Sequence, residues 1–123
     1  MVELISDLGG GKTTFTRGLV RGVKSPDAVA SPSFTISKVY QAKDLEVHHF
    51  DFYRLSEPGI IADELAEVVG DPRIVTIVEW GNVVQHVLPA ERLTVTLVPI
   101  AEDRRRLTFR CPASLAYLLE GVA

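Results

Sequence analysis

Apolar and polar positions along the 123-residue chain alternate in short runs, divided by glycine and proline. Residues 1–5 predict one short strand, although Glu3 is awkward in a strand buried on both faces, so its partner strands must compensate. Past the glycines at 9–11, Phe15, Leu19 and Val23 recur every four positions from Thr13 onward, with Val20 beside them and Arg17 and Arg21 on the wet side. That spacing predicts an amphipathic helix. Gly18 and Gly22 each cost about 1 kcal/mol against alanine inside a helix, and close packing against the sheet is the expected reason for Gly18. Residues 25–33, with Pro26 and Pro32, read as a surface connection.

Two strand-like runs, 34–40 and 45–50, flank a short polar connection and predict an antiparallel hairpin whose second strand ends on Asp51. Ser56 is placed to cap a helix containing Ile60, Ile61, Leu65, Val68 and Val69 and ending at Gly70. The β-branched run 73–78 suits an interior parallel strand and delivers Glu79-Trp80-Gly81 at its carboxyl end, the edge where ligands gather in open α/β sheets. A helical turn within 82–87, a second hairpin from 93–98 and 105–111 through 101–104, and a helix over 114–119 complete the chain.

The segment between the first strand and the first helix carries the clearest chemistry. Ser6-Asp7-Leu8-Gly9-Gly10-Gly11-Lys12-Thr13-Thr14 reads as a phosphate-binding loop: the glycines let backbone N–H groups curl inward, and the helix adds the positive end of its dipole. Lys12 would reach over the β- and γ-phosphates, and the Thr13 hydroxyl would take one position on Mg²⁺. Ser6 replaces the first glycine of the usual pattern, which is tolerable if it keeps a negative φ. A glycine-rich turn that merely caps a helix is the plainer alternative.

Composition narrows the partners. A 46% hydrophobic chain of this length is expected to form one domain spanning residues 1–123. A formal charge of −3 offers no basic footprint for DNA, and any RNA is expected to be held by a partner protein. Arg104-Arg105-Arg106 sits at a hairpin beside Glu102 and Asp103 and reads first as solvated surface, with RNA contact the alternative. A single cysteine and no long apolar run predict a cytoplasmic protein away from membranes. His48 and His49 occupy adjacent strand positions and so opposite faces, which argues against joint metal binding, and no Cys/His cluster has zinc-site spacing.

Four separated motifs, Asp7 through Thr14, Ser31-Pro32-Ser33-Phe34-Thr35, His49-Phe50-Asp51-Phe52-Tyr53-Arg54 and Glu79-Trp80-Gly81, together resemble the TsaE (YjeE) family over residues 2–98. The resemblance implies a P-loop NTPase-like three-layer α/β fold, a mixed sheet with parallel central strands and antiparallel hairpins. It also implies an Mg-dependent ATPase of tRNA N6-threonylcarbamoyladenosine modification that acts with the TsaB and TsaD proteins. Under it, Asp7, Leu8, Gly9, Gly10, Gly11, Lys12, Thr13, Thr14 and Thr35 hold ATP or ADP, Thr13 and Glu79 hold Mg²⁺, and Lys12, Asp51 and Glu79 carry catalysis. Ser33 and Thr35 resemble a switch loop that feels the γ-phosphate. The family's usual amino-terminal segment is expected to be missing. Trp80 is either a wall of the nucleotide pocket, a partner contact or a core residue, and Arg54 either a phosphate contact or half of a salt bridge. Two other functions fit the same loop: a nucleotide-dependent binding module without turnover, and a small-molecule P-loop kinase.

Overall fold

The computed structural model describes residues 1–7, 11–29, 37–53, 55, 57 and 59–122. Six strands form one sheet in the order β2-β3-β4-β1-β5-β6: β1 (Val2–Ile5), β2 (Ser37–Gln41), β3 (Glu46–Asp51), β4 (Ile74–Glu79), β5 (Leu93–Ala101) and β6 (Arg104–Arg110). The four inner strands run parallel, and β2 and β6 close the edges as antiparallel hairpins with β3 and β5. Both expected hairpins and the interior parallel strand are therefore present.

Register decides which side chains share a face, because successive strand residues point to opposite sides. Opposite pairings place Val2, Leu4, Val47, Ile77, Val95 and Leu97 on one face, where Val20 of helix α1 (Lys12–Gly22) joins their cluster. On the other face Phe50 and Val78 pack with Ala62 and Leu65 of helix α2 (Gly59–Val68) and with Val84 from a short 3-10 turn at Gly81–Val84. Helices thus cover both sides of the mixed sheet, the three-layer α/β arrangement.

Several local expectations change. Gly18 is exposed, and a Cβ added there would meet nothing within 4 Å, so packing does not demand glycine. The sheet is approached instead by Lys12, Thr16 and Val20, four residues apart on the opposite side of α1. Ile60 is 80% exposed because it lies in the first turn of α2, whose buried residues are Ala62 and Leu65. That helix ends at Val68, two residues before Gly70. The last segment, Ala113–Leu119, winds as a 3-10 helix with no buried residue. Ser56, residues 31–36 and Arg54 lie outside the described residues, and so do the roles read onto Thr35, Leu8, Gly9 and Gly10.

Glu3 is indeed buried, at 5% exposure, but its partner strands do not compensate. Arg92 Nε donates to Glu3 Oε1 at 3.0 Å and Gln85 Nε2 to Glu3 Oε2 at 2.8 Å, both from the connection ahead of β5. A buried carboxylate needs this pairing, since the uncompensated charge is strongly penalised.

Candidate active site

Three chain segments reach the carboxyl edge of the parallel strands from the α1 face. β1 feeds the turn into α1, where Gly11 at φ 100° occupies a left-handed conformation that glycine adopts without strain. Its carbonyl accepts the first helical hydrogen bond, from Phe15 N at 3.0 Å. Among the described non-glycine residues, positive φ occurs only at Lys24 and Trp80, so Ser6 stands where glycine's freedom is not needed. Asp7 and Thr14 are exposed and Thr13 is half-buried at the start of α1.

Lys12 is buried, and its ammonium folds back on the loop. Nζ donates to Ser6 Oγ at 2.9 Å, Asp7 O at 3.1 Å and Ser6 O at 3.3 Å. These contacts use the three N–H bonds of the side chain. Nζ also lies 4.9 Å from the centroid of the Trp80 ring, a cation–π distance. Trp80 is half-buried and in contact with the exposed Tyr53, ring centroids 5.0 Å apart. It therefore lies beside Lys12 and also packs against the α2-face cluster, which agrees with the half-buried core reading of its sequence position.

The parallel register of β3 and β4 sets Asp51 directly beside Glu79, and β1 sets Leu4 on the other side of Glu79. Glu79 is 3% exposed although it ends its strand. Asp51 is half-buried, and its Oδ1 accepts from Tyr53 N at 3.0 Å. Burial, chiefly, pushes the Asp51 carboxyl above the ordinary aspartate pKa, and the Glu79 charge adds to this; the Tyr53 N–H and the His49 and Lys12 charges pull the other way. Two adjacent carboxylates, one half-buried and one buried, make a place short of positive charge.

That shortage is the physical test of a metal at this site. Among the described residues no group of three or more His, Cys, Asp or Glu could enclose an ion. Mg²⁺ does not require such a cage: it keeps several waters and takes one or two carboxylates together with substrate phosphates. The adjacent Glu79 and Asp51 fit that use.

Sequence reasoning named one further residue here without giving it a role. His49 shares the face of Asp51 and Glu79, is fully buried, and makes a short hydrogen bond through Nε2 to Glu79 Oε2. The signal was available in the two-residue spacing of His49 and Asp51, which puts both on one side of β3. A separate cleft of about 530 Å³, bordered by Glu3, Gln85, Arg92, Thr94 and Arg110, includes none of Lys12, Asp51 and Glu79.

Together, the fold and this edge define an α/β protein whose glycine-lysine-threonine turn lies at the same carboxyl edge of a mixed sheet as two carboxylates. The family model for threonylcarbamoyl adenosine biosynthesis protein TsaE matches residues 1–107, and the chain belongs to that family. The tRNA threonylcarbamoyladenosine biosynthesis protein TsaE of Bacillus subtilis is 37% identical over 111 residues, covering 89% of this chain and 68% of that protein. The protein of the same name from Haemophilus influenzae is 34% identical over 102 residues, 79% of this chain and 61% of its own length. A crystal structure of Bacillus subtilis YdiB superimposes with a TM-score of 0.75 at 32% identity, covering 96% of this chain and 72% of that one. No helix among the described residues is long and apolar enough to cross a membrane.

Proposed function

We propose that this chain binds and hydrolyses Mg-ATP, and that the cycle resets a TsaB–TsaD complex in threonylcarbamoyladenosine modification of tRNA. The observation that carries the reading is the meeting of Lys12, Asp51 and Glu79 at one sheet edge, in a chain of the TsaE family. Lys12 would exchange its contact with Ser6 Oγ for phosphate oxygens while its two carbonyl contacts hold it over the site, beside the amino-terminal end of α1. Thr13 and Glu79 would hold Mg²⁺, which when bound neutralises charge on the β- and γ-phosphates. Asp51 orients the attacking water; water adds to the γ-phosphorus as the bond to the bridging oxygen breaks, giving ADP and phosphate. Positioning and electrostatics account for such a step, so fixed groups suffice.

Its ATP cycle matters through protein contact, because the chain is acidic overall. A partner that prefers the ATP-bound rim must tighten ATP binding by the same factor. The deciding measurement is Mg-dependent phosphate release by the chain alone and with TsaB and TsaD. Lys12→Ala should lower turnover by about 10²- to 10³-fold, the loss typical of removing one charge-stabilising donor. Unchanged release in that variant refutes the assignment.

A further inference from the structure

His49 lies in the layer between α1 and the sheet, level with Ile77 on β4 and among aliphatic side chains, yet it is an imidazole with no exposure. Its Nδ1 finds no hydrogen-bond partner among the described residues. Burying a ring with one nitrogen unpaired is unfavourable, and a leucine or valine would fill the same apolar surroundings without that penalty. The compensation is specific: Nε2 meets Glu79 Oε2. The contact through Nε2 fixes the imidazole in one orientation against the carboxylate.

We propose that His49 is a positioning residue for Glu79, tying Oε2 so that Oε1 is presented to the Mg-nucleotide at the Asp51 edge. The proposal rests on the Mg-nucleotide reading of the site above. Without the bond, the Glu79 side chain would be free to rotate at the strand end, and the entropy of fixing it would be charged to ligand binding. Partners that orient a metal-binding carboxylate or imidazole typically matter by about 10- to 100-fold in metal affinity when removed.

The test is calorimetric titration of ADP in Mg²⁺ and in EDTA, so that the readout is the factor by which Mg²⁺ tightens binding and not turnover. His49→Leu should cut that factor by about 10- to 100-fold, with EDTA affinity within about threefold of wild type. His49→Gln, whose amide can still donate, should recover most of it. In a Glu79→Gln background, His49→Leu should remove nothing further, because the two act as one unit. An undiminished Mg²⁺ factor in His49→Leu, or an equal loss in the Glu79→Gln background, overturns the proposal. Should the leucine variant not fold, His49→Gln is compared with His49→Asn, whose shorter amide does not reach Glu79; equal Mg²⁺ factors again overturn it. A wild-type chain that shows no Mg²⁺ factor at all fails one level earlier, refuting the Mg-nucleotide reading and this role with it.

Discussion

Removing the guanidinium from Glu3 should expose how strongly the loop-bearing strand is tied to the rest of the fold. Arg92→Ala deletes the 3.0 Å bond from Nε to Glu3 Oε1, a 2.8 Å bond to Pro89 O and a 3.3 Å bond to Gln85 Oε1, leaving only Gln85 to donate to the carboxylate. Breaking a fully buried pair by removing one partner costs about 3–5 kcal/mol. Here the Glu3 side chain is 6% exposed but that of Arg92 is 24%, and one hydrogen bond to Glu3 survives, so about 2–3 kcal/mol is the expected loss. For a chain of 123 residues, the average unfolding entropy per residue converts this to a fall in Tm of roughly 8–12 °C. Glu3→Gln alone should cost about 1 kcal/mol, since the Arg92 it leaves behind can reach solvent. Combining the two should cost at least about 1 kcal/mol less than the sum, because the charge that Arg92→Ala strands is then absent. Urea unfolding at constant m-value measures all three. Losses that add to within about 0.5 kcal/mol, or an Arg92→Ala effect below about 1 kcal/mol, would show that the pair is ordinary surface electrostatics.

Gly18→Ala should stabilise the chain by about 0.5–1 kcal/mol in the same assay, as an exposed helical position with open space at Cβ; destabilisation would mean that α1 is packed there after all. Gly81→Ala should be destabilising, because its Cβ would stand 3.0 Å from Val78 Cγ1 and 3.4 Å from Glu3 Oε2; a neutral melt would show that the turn after Trp80 can shift freely. Asp51→Asn should raise stability at neutral pH in EDTA without nucleotide. The raised native pKa of Asp51 makes its ionised form a cost that is fully present above that pKa and relieved as pH falls through it toward the ordinary value of about 3.9. Melts from pH 8 to pH 4 should therefore show the variant's advantage shrinking on acidification, and an advantage that grows would reverse the sign of the argument.

Local pattern and fold agree where one residue's neighbours in sequence are also its neighbours in space. The glycine-lysine-threonine turn, the hairpin around 41–45 and the apolar run ending at Glu79 are of this kind, since turn chemistry and two-residue alternation act over a few residues. What compensates Glu3 was not legible: its partners lie 82 and 89 positions away, in a connection with no periodic signal. Gly18 misled because helical glycine allowed two readings, close packing against the sheet or a helix fraying toward Lys24 and Pro26, and only the position of the sheet separates them. His49 was legible in part. The alternation rule separated it from His48, but its bond to Glu79 depends on the β3–β4 register, which no local pattern fixes.

The two deeply buried carboxylates of the parallel strands divide structure from chemistry. Glu3 and Glu79 are on opposite faces of the sheet, at 5% and 3% exposure, and both would be costly as lone charges. Glu3 is closed: an arginine and an amide engage both of its oxygens, and Gly81 is needed small to leave it room. Glu79 is held differently, with one oxygen on an imidazole and Asp51 alongside it. Lys12 could have answered that negative charge, but its three N–H bonds are directed to Ser6 and Asp7. Stability alone would favour a closed pair on both faces. An arrangement that pairs one carboxylate with an arginine and sets the other beside a second carboxylate is therefore the one that the proposed Mg-nucleotide function requires.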